Sequence, residues 1–497
     1  MKLLLLNGSL VKPMLALAVA GTSFMQCVAR AAIEHPGELG LIERDSTAEN
    51  PPSTVKPAGH GAIRGVNIGG VFLIEAFIKP SLFDQFSHMS DAEMPVDEYT
   101  FSKELGKEEA KRQLEEHWDT FVTRDHLEKL VGFGINWIRI PVGYWAFNLT
   151  REEPYVDGQL PYIERMLGWS RDLGLKVQLD LHGVPGSQNG FDNSGRRGNT
   201  TWLDQRINID RAMDVLTKLA DLANKWPDVV YAIEAINEPS KYSTPLEKVR
   251  SFYEEAYTTV RNIAPDLMFM THDTFADTHE WNVLVNTTWE NHVMDSHLYQ
   301  MFNEWVVTFN ESTHINLVYD TAKNITIFDN TTRRVVVGEF SVATHDCTKY
   351  INGLGRGTRW EGTLPDMTKP NCPTTNCTCT GNYGSDYTQF TDEYKAFLKN
   401  YMDAQLDVYD GQLLGWFYWN FRTEGAPEWD YLLGVEQGWI PKFPRTAFPK
   451  GSSSSSDKSD NSAGSSSSAV SLTGSRTEHG FVLQSIGILA LVTLVFF

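Results

Sequence analysis

Short apolar runs recur through the middle of the chain, and helical or loop-like stretches separate them. Runs apolar enough to bury both faces of a strand fall at about 62–68, 136–141, 176–182 and 229–237, and again at 267–272, 292–299, 334–340 and 413–420. Between several of them the apolar positions take helical spacing, at 124–132, 161–174, 211–225 and 245–263. A strand with one solvated face would alternate apolar and polar side chains, so these runs predict a parallel sheet covered by helices. Eight strand–helix units predict an α/β fold, a closed (β/α)8 TIM barrel with loop insertions, in preference to a doubly wound open sheet. No repeat, low-complexity break or linker interrupts 59–450, the expected span of this one domain.

The two ends follow another pattern. Lys2 precedes Leu3 to Leu6, a second apolar run covers 14–20, and small residues cluster at 27–31. That arrangement predicts a signal peptide over 1–31, with the Pro- and charge-rich 32–58 as a lead-in or pro-segment. Its apolar core is shorter than a bilayer of roughly 30 Å requires. At the other end, Ser and Gly dominate 451–468, a polar stretch runs to His479, and 481–497 is apolar. Small residues, a polar spacer and an apolar tail form the pattern of a glycosylphosphatidylinositol (GPI) signal, preferred here to a tail-anchored helix. The expectation is a stalk over 451–475 with its attachment residue between Ser462 and Ser471, and a tail over 476–497 that is removed. The protein is then secreted and tethered at the cell surface or wall, its membrane association made through lipid.

Composition adds three things. Sequons at Asn148, Asn199, Asn286, Asn310, Asn324, Asn330 and Asn376 agree with export. If Cys27 leaves with the signal, Cys347, Cys372, Cys377 and Cys379 remain, and three disulfide pairings are open to them. Cys377-Thr378-Cys379 has no His at ligand spacing, so no metal is expected. The net charge of −20 repels nucleic acid, and no basic patch interleaved with aromatics offsets it.

The polar residues at the strand ends carry the chemistry. Arg139, His182, Asn237, Glu238, His297, Tyr299, Glu339 and Trp419 fall at or near the C-terminal ends of six proposed strands. A barrel gathers such residues at one rim, where barrel enzymes build their sites. Glu238 and Glu339 follow apolar strands, an expensive placement for a carboxyl unless an open cleft receives it. Cleavage of a glycosidic bond uses such a pair: one carboxyl protonates the leaving oxygen, and the other attacks the anomeric carbon or activates water.

Asn237-Glu238-Pro239 with a Glu at the seventh strand resembles the retaining (β/α)8 glycosidases. Longer segments sharpen the resemblance. Arg64-Gly65-Val66-Asn67-Ile68-Gly69-Gly70, Arg139-Ile140-Pro141-Val142-Gly143-Tyr144-Trp145, the segment from Leu181 to Gly195, and Lys349-Tyr350-Ile351-Asn352-Gly353 resemble fungal exo-β-1,3-glucanases of glycoside hydrolase family 5. The resemblance implies Glu238 as acid/base and Glu339 as nucleophile, with Arg139 holding the Glu339 carboxylate and Asn237 meeting the sugar 2-hydroxyl. It implies His182, His297 and Tyr299 around the cleaved sugar and Trp419 as its floor. Glu75 becomes the hydroxyl anchor at the closed end, Phe191 and Phe302 flank the leaving sugar, and Asn193 joins the substrate-binding set. No metal or organic cofactor is implied, and β-glucan is the partner. Val71 stands where these relatives usually carry Trp, which bears on the wall of the pocket. The expected activity is retaining release of glucose from the non-reducing end of β-1,3-glucan during wall remodelling. A β-1,6-glucanase or transglycosylase of the same clan is the enzymatic alternative, and a non-catalytic wall-binding protein the alternative of another class.

Overall fold

The computed structural model describes residues 62–444, apart from 91, 287, 330–333 and 375–376. The expected signal peptide, the lead-in, the stalk and the anchor tail lie outside the described residues, as do Asn330 and Asn376. Eight parallel strands close into a barrel in sequence order: β1 (Ile63–Asn67), β2 (Trp137–Gly143), β3 (Lys176–Gly183), β4 (Val230–Glu234), β5 (Met268–His272), β6 (His292–Leu298), β7 (Arg334–Phe340) and β8 (Gly415–Tyr418). The helices are α1 (Pro80–Asp84), α2 (Glu98–Thr120), α3 (Arg124–Gly132), α4 (Leu160–Leu173), α5 (Arg206–Lys225), α6 (Leu246–Ile263), α7 (Trp281–Leu284), α8 (Glu311–Asp329), α9 (Asp392–Tyr409) and α10 (Tyr431–Gln437). Among the described residues, no helix is long and apolar enough to cross a membrane.

The strands sit where the apolar runs predicted them. β4 and β8 are shorter than their runs, however, so Asn237, Glu238 and Trp419 belong to loops just past the strand ends. Two cores result from the alternation of side chains along each strand. Outward-facing Ile138, Leu179, Ile233, Val335 and Val337 join the helices in the larger core. Inward-facing Ile63, Trp137, Ala232, Val293, Val336 and Phe417 close the lower end of the barrel. Gly65 makes room for this plug, since a Cβ there would lie 2.1 Å from the Phe417 ring.

One step up the same inward faces, the plug gives way to polar groups. Arg139 stands above Trp137, Glu234 above Ala232 and Asp295 above Val293, all fully buried. β7 reaches this layer through an irregularity. Ser296 pairs with Val337 but His297 pairs with Glu339, so Gly338 is an extra residue. Val336 faces inward, and strict alternation would turn Glu339 out of the barrel. The irregularity turns it in, as β-bulges do near active sites.

Above the barrel, α2 enters as an insertion after β1, and a long loop joins β7 to α9. Disulfides Cys347–Cys379 and Cys372–Cys377 select one of the three pairings and staple that loop.

Candidate active site

Arg139 is the hub beneath the cleft. Its Nε donates to Glu234 Oε2 at 2.9 Å, Nη1 to Asn67 Oδ1 at 3.0 Å and Glu339 Oε1 at 2.9 Å, and Nη2 to Asn237 Oδ1 at 2.8 Å. Asp180 completes the ring at 3.0 Å from Nη2. Burial works against the guanidinium charge, but Asp180, Glu234 and Glu339 outweigh it and hold the pKa well above its ordinary value. Asp180 also meets Nδ1 of His182 at 2.6 Å, and the His182 ring lies parallel to the Trp419 indole, 5.7 Å between centroids.

Glu339 accepts from Arg139 Nη1 on Oε1 and from the Tyr299 hydroxyl at 2.9 Å on Oε2, and His297 Nδ1 lies 3.4 Å from that second oxygen. Burial raises its pKa, the Glu238 charge adds to the rise, and His297 and Arg139 oppose it. Its donors suit the ionised form, which a nucleophile needs.

Glu238 occupies a left-handed backbone position, with φ of 46°, which a non-glycine residue adopts at a cost and which recurs at functional sites. Its Oε2 accepts from Asn193 Nδ2 at 2.8 Å, and its Oε1 lies 2.8 Å from His297 Nδ1. Burial pushes this carboxyl up, but the hydrogen bond and charge of His297, helped by Asn193, leave it below the ordinary value.

A single imidazole nitrogen therefore faces both carboxyls. Contacts of 2.8 and 3.4 Å to one atom hold the nearest carboxyl oxygens closer than the roughly 6.5 Å at which inverting spacing begins. Glu238, His272 and His297 also bring possible metal-ligand atoms within 4.8 Å of one another. His297 Nδ1 is taken up by carboxylates, however, and His272 Nδ1 accepts the Thr274 N–H at 2.9 Å.

The cleft above this pair spans about 810 Å³, part of it open to solvent. Of the residues expected from sequence, Glu75, Phe191, Asn193, Glu238, Tyr299, Phe302, Glu339 and Trp419 line it. Arg139, His182, Asn237 and His297 are buried around that lining; Arg139 and His297 reach it through Glu339 and Glu238, His182 through its stacking on Trp419, and Asn237 through Arg139. Val71 is buried outside the lining, so its departure from Trp does not reach the cleft surface. Sequence reasoning missed Phe77, Asp192, Ser240, Phe275, Ile351 and Trp429, which also line the cleft. Trp429 is the most consequential: its ring lies 5.3 Å from Tyr299 and 5.4 Å from Phe77, and the aromatic density from Trp416 to Trp429 was its only signal. Half-buried Glu75 has one buried oxygen, Oε1, without a hydrogen-bond partner among the described residues. Burial, then the charges of Asp192, Glu339 and Glu238, raise its pKa well above the usual carboxyl range.

Two closely spaced, unlike carboxyls at the upper rim of a (β/α)8 barrel define a retaining glycosidase. A family model for cellulase (glycosyl hydrolase family 5) matches residues 102–358. The chain is 40% identical over 407 residues to "Probable glucan 1,3-beta-glucosidase A" of Aspergillus fumigatus, covering 82% of this chain and 91% of that one. It is 38% identical to "Glucan 1,3-beta-glucosidase" of Blumeria graminis, covering 76% and 87%. In fold it is similar to the crystal structure of rutinosidase from Aspergillus niger, with a TM-score of 0.59 at 19% identity over 76% of this chain and 98% of that one. The chain belongs to glycosyl hydrolase family 5.

Replacing Arg139 tests the hub. Arg139→Met leaves Asp180, Glu234 and Glu339 buried without their counter-charge, which costs about 3–5 kcal/mol. A lowered thermal unfolding midpoint together with loss of turnover is the expected outcome, read by calorimetry and assay.

Proposed function

We propose that this protein hydrolyses β-1,3-glucan from its non-reducing end and releases glucose with retention at the anomeric carbon. The observation that carries this reading is the Glu238–His297–Glu339 bridge beneath a cleft whose wall includes an unsatisfied carboxyl, Glu75. The names of the Aspergillus fumigatus and Blumeria graminis relatives support the linkage.

In this mechanism the terminal glucose lies on Trp419, with its anomeric carbon over Glu339. Glu339 attacks that carbon while a proton from Glu238 goes to the departing oxygen. Glu238 then takes a proton from the water that releases glucose from Glu339. Tyr299 and Arg139 hold the nucleophile in place. Asn237 has its oxygen bound to Arg139 and its Nδ2 3.4 Å from His182 Nε2, and the second Nδ2 hydrogen is the one that donates to the sugar 2-hydroxyl. Phe191 and Phe302 offer aromatic surface to the next sugar, and Trp429 extends the surface on which Phe302 rests.

Glu339→Ala should abolish turnover without unfolding the protein, and azide should restore cleavage as a glycosyl azide of inverted configuration. In the wild type, proton NMR of the first product should show the β-anomer; an initial α-anomer defeats retention.

Exo action rests on Glu75. A terminal glucose presents free hydroxyls to its unpartnered oxygen, and a buried polar group left unpaired costs about 1–3 kcal/mol. Glu75→Ala should therefore lower kcat/KM on laminarin by about one to two orders of magnitude. Early products of the wild type should be glucose alone, and blocking the non-reducing ends should stop release. A ladder of oligosaccharides from blocked laminarin would overturn exo action, and faster hydrolysis of pustulan would move the linkage to β-1,6.

We also propose that the enzyme is exported and held at the cell surface by a GPI lipid, where it trims wall glucan. The Ser/Gly-rich stretch and apolar tail support this placement. Phosphatidylinositol-specific phospholipase C should release it from membranes; persistence of 481–497 in the mature protein, read by mass spectrometry, excludes it.

A further inference from the structure

The proposed acid, Glu238, sits where its surroundings draw its proton away, although an acid must carry that proton when the leaving oxygen arrives. The arrangement around His297 supplies an answer. His297 Nδ1 lies 2.8 Å from Glu238 Oε1 and 3.4 Å from Glu339 Oε2. On the other side of the ring, Nε2 faces Asp295 Oδ2 at 3.6 Å, an ion-pair contact slightly longer than a hydrogen bond. Both of these atoms are buried and hydrogen-bonded to nothing else among the described residues. Asp295 is itself fixed, because its Oδ1 accepts the Gly338 N–H at 2.6 Å, and a Cβ on Gly338 would lie 2.0 Å from Oδ2.

A carboxylate facing Nε2 favours a hydrogen on that nitrogen, since a bare lone pair there would repel it. Nδ1 is then free to be either an N–H donor to ionised Glu238 or a lone pair accepting from protonated Glu238. We infer that Asp295 is a positioning residue for acid catalysis: it holds a proton on Nε2 of His297, so that Nδ1 stores the proton that Glu238 delivers.

The step balances. As substrate enters, the His297 Nδ1–H bond breaks and the Glu238 Oε1–H bond forms, leaving neutral imidazole with its Nε2 hydrogen on the Asp295 side. Glu238 then gives that proton to the glycosidic oxygen as the bond from the anomeric carbon to Glu339 forms and the bond to the leaving oxygen breaks. In the second half, water adds to the anomeric carbon, its proton passes to Glu238 and back to Nδ1, and Glu339 leaves as carboxylate.

The charges around His297 agree with this storage. Arg139 on β2 and the neutral-leaning His272 on β5 stand against Glu234 and Glu238 on the β4 side, Asp273 after β5, Asp295 on β6 and Glu339 on β7. The His272 ring lies edge-on, 4.4 Å from that of His297, and burial holds its pKa well below the usual value, so it does not compete for the proton. His182 on β3 faces the same carboxyls from beside Asp180, and the Tyr299 hydroxyl is committed to Glu339. Burial lowers the His297 pKa, but Glu339, Asp295 and Glu238 outweigh it and raise it well above the ordinary value.

The inference rests on the glycosidase reading, and Asp295→Asn separates the two. The amide oxygen can keep the Gly338 N–H, while the amide NH2 comes to face Nε2 and favours the opposite tautomer, with hydrogen fixed on Nδ1. For laminarin, kcat/KM should fall by about 100-fold or more. For dinitrophenyl β-glucoside, whose leaving group departs without a proton, it should fall by about threefold or less. Loss of the negative charge should also move the alkaline limb of the laminarin profile to lower pH by about one unit, because His297 then gives up its proton more readily. Equal losses on both substrates, or an unmoved alkaline limb, would show that Asp295 only braces the Glu339 strand. Wild-type protein inert to both substrates would defeat the glycosidase reading itself. If the variant does not fold, nitrogen NMR of histidine-labelled wild type decides. Imidazolium, or the Nε2–H tautomer, is the expected state of His297, and a neutral Nδ1–H form overturns the inference.

Discussion

The buried guanidinium of Arg139 is the interaction on which the upper half of the barrel depends. Asp180, Glu234 and Glu339 come from three different strands and could not share a closed interior without it. Desolvating such groups is costly, and their attraction repays the cost only when the remaining hydrogen bonds are made. Asn67 and Asn237 make them, from β1 and from the loop after β4. The ring thus ties β1, β2, β3, the β4 end and β7 together at the height where the chemistry is proposed. The apolar plug of Trp137 and Phe417 below keeps water from reaching it from underneath.

A second constraint shapes the closed end. The N-terminus of α2 binds three loops at once. Glu98 accepts from the Ile74 N–H at 2.9 Å and from the Trp145 indole at 2.7 Å, Asp97 accepts from the Arg197 N–H at 2.7 Å, and the Tyr99 N–H donates to Gly195 O at 3.0 Å. Burial pushes the Glu98 carboxyl up to about 8, against those two donors. Ile74 neighbours Glu75, and Gly195 ends the segment that carries Phe191 and Asn193. The insertion after β1 is therefore what sets these cleft residues relative to one another.

Much of this was legible in the chain. Strands buried on both faces leave continuous apolar runs, and a polar residue at the end of such a run has few places to go except a cleft; Glu238, His297 and Glu339 were found this way. The aim of Glu339 was not legible. Alternation from Val336 points it outward, and only the irregularity at Gly338, a matter of pairing with β6, turns it in. Asp295 was hidden for a related reason, since it reads as one polar residue inside a strand until the barrel closes and places it beneath His297. Trp429 lies in a loop without periodicity, and nothing local marks it as a cleft residue. The disulfides depended on how one long loop folds back, which four cysteine positions do not specify. The ends of the chain speak only through composition, and the placement at the cell surface rests on that.

The stratified interior has a consequence for what the cleft attracts. Glu75, Asp192, Glu238 and Glu339 line it, and among the residues of that lining no lysine or arginine answers them. Arg139, below the lining, answers Glu339 alone of the four and spends its other ion pairs on Asp180 and Glu234. Burial favours the neutral forms of Glu75 and Asp192, so the field above the floor comes chiefly from the ionised nucleophile Glu339; it favours positive charge, in a confined space where solvent screens it poorly. A ring that gains positive character as it loses its substituent is drawn toward that field, and so is any sugar-shaped molecule carrying a protonated nitrogen at the same place. Uronic acids and other anionic sugars meet the opposite force, so the cleft sorts carbohydrates by charge before any hydroxyl is matched.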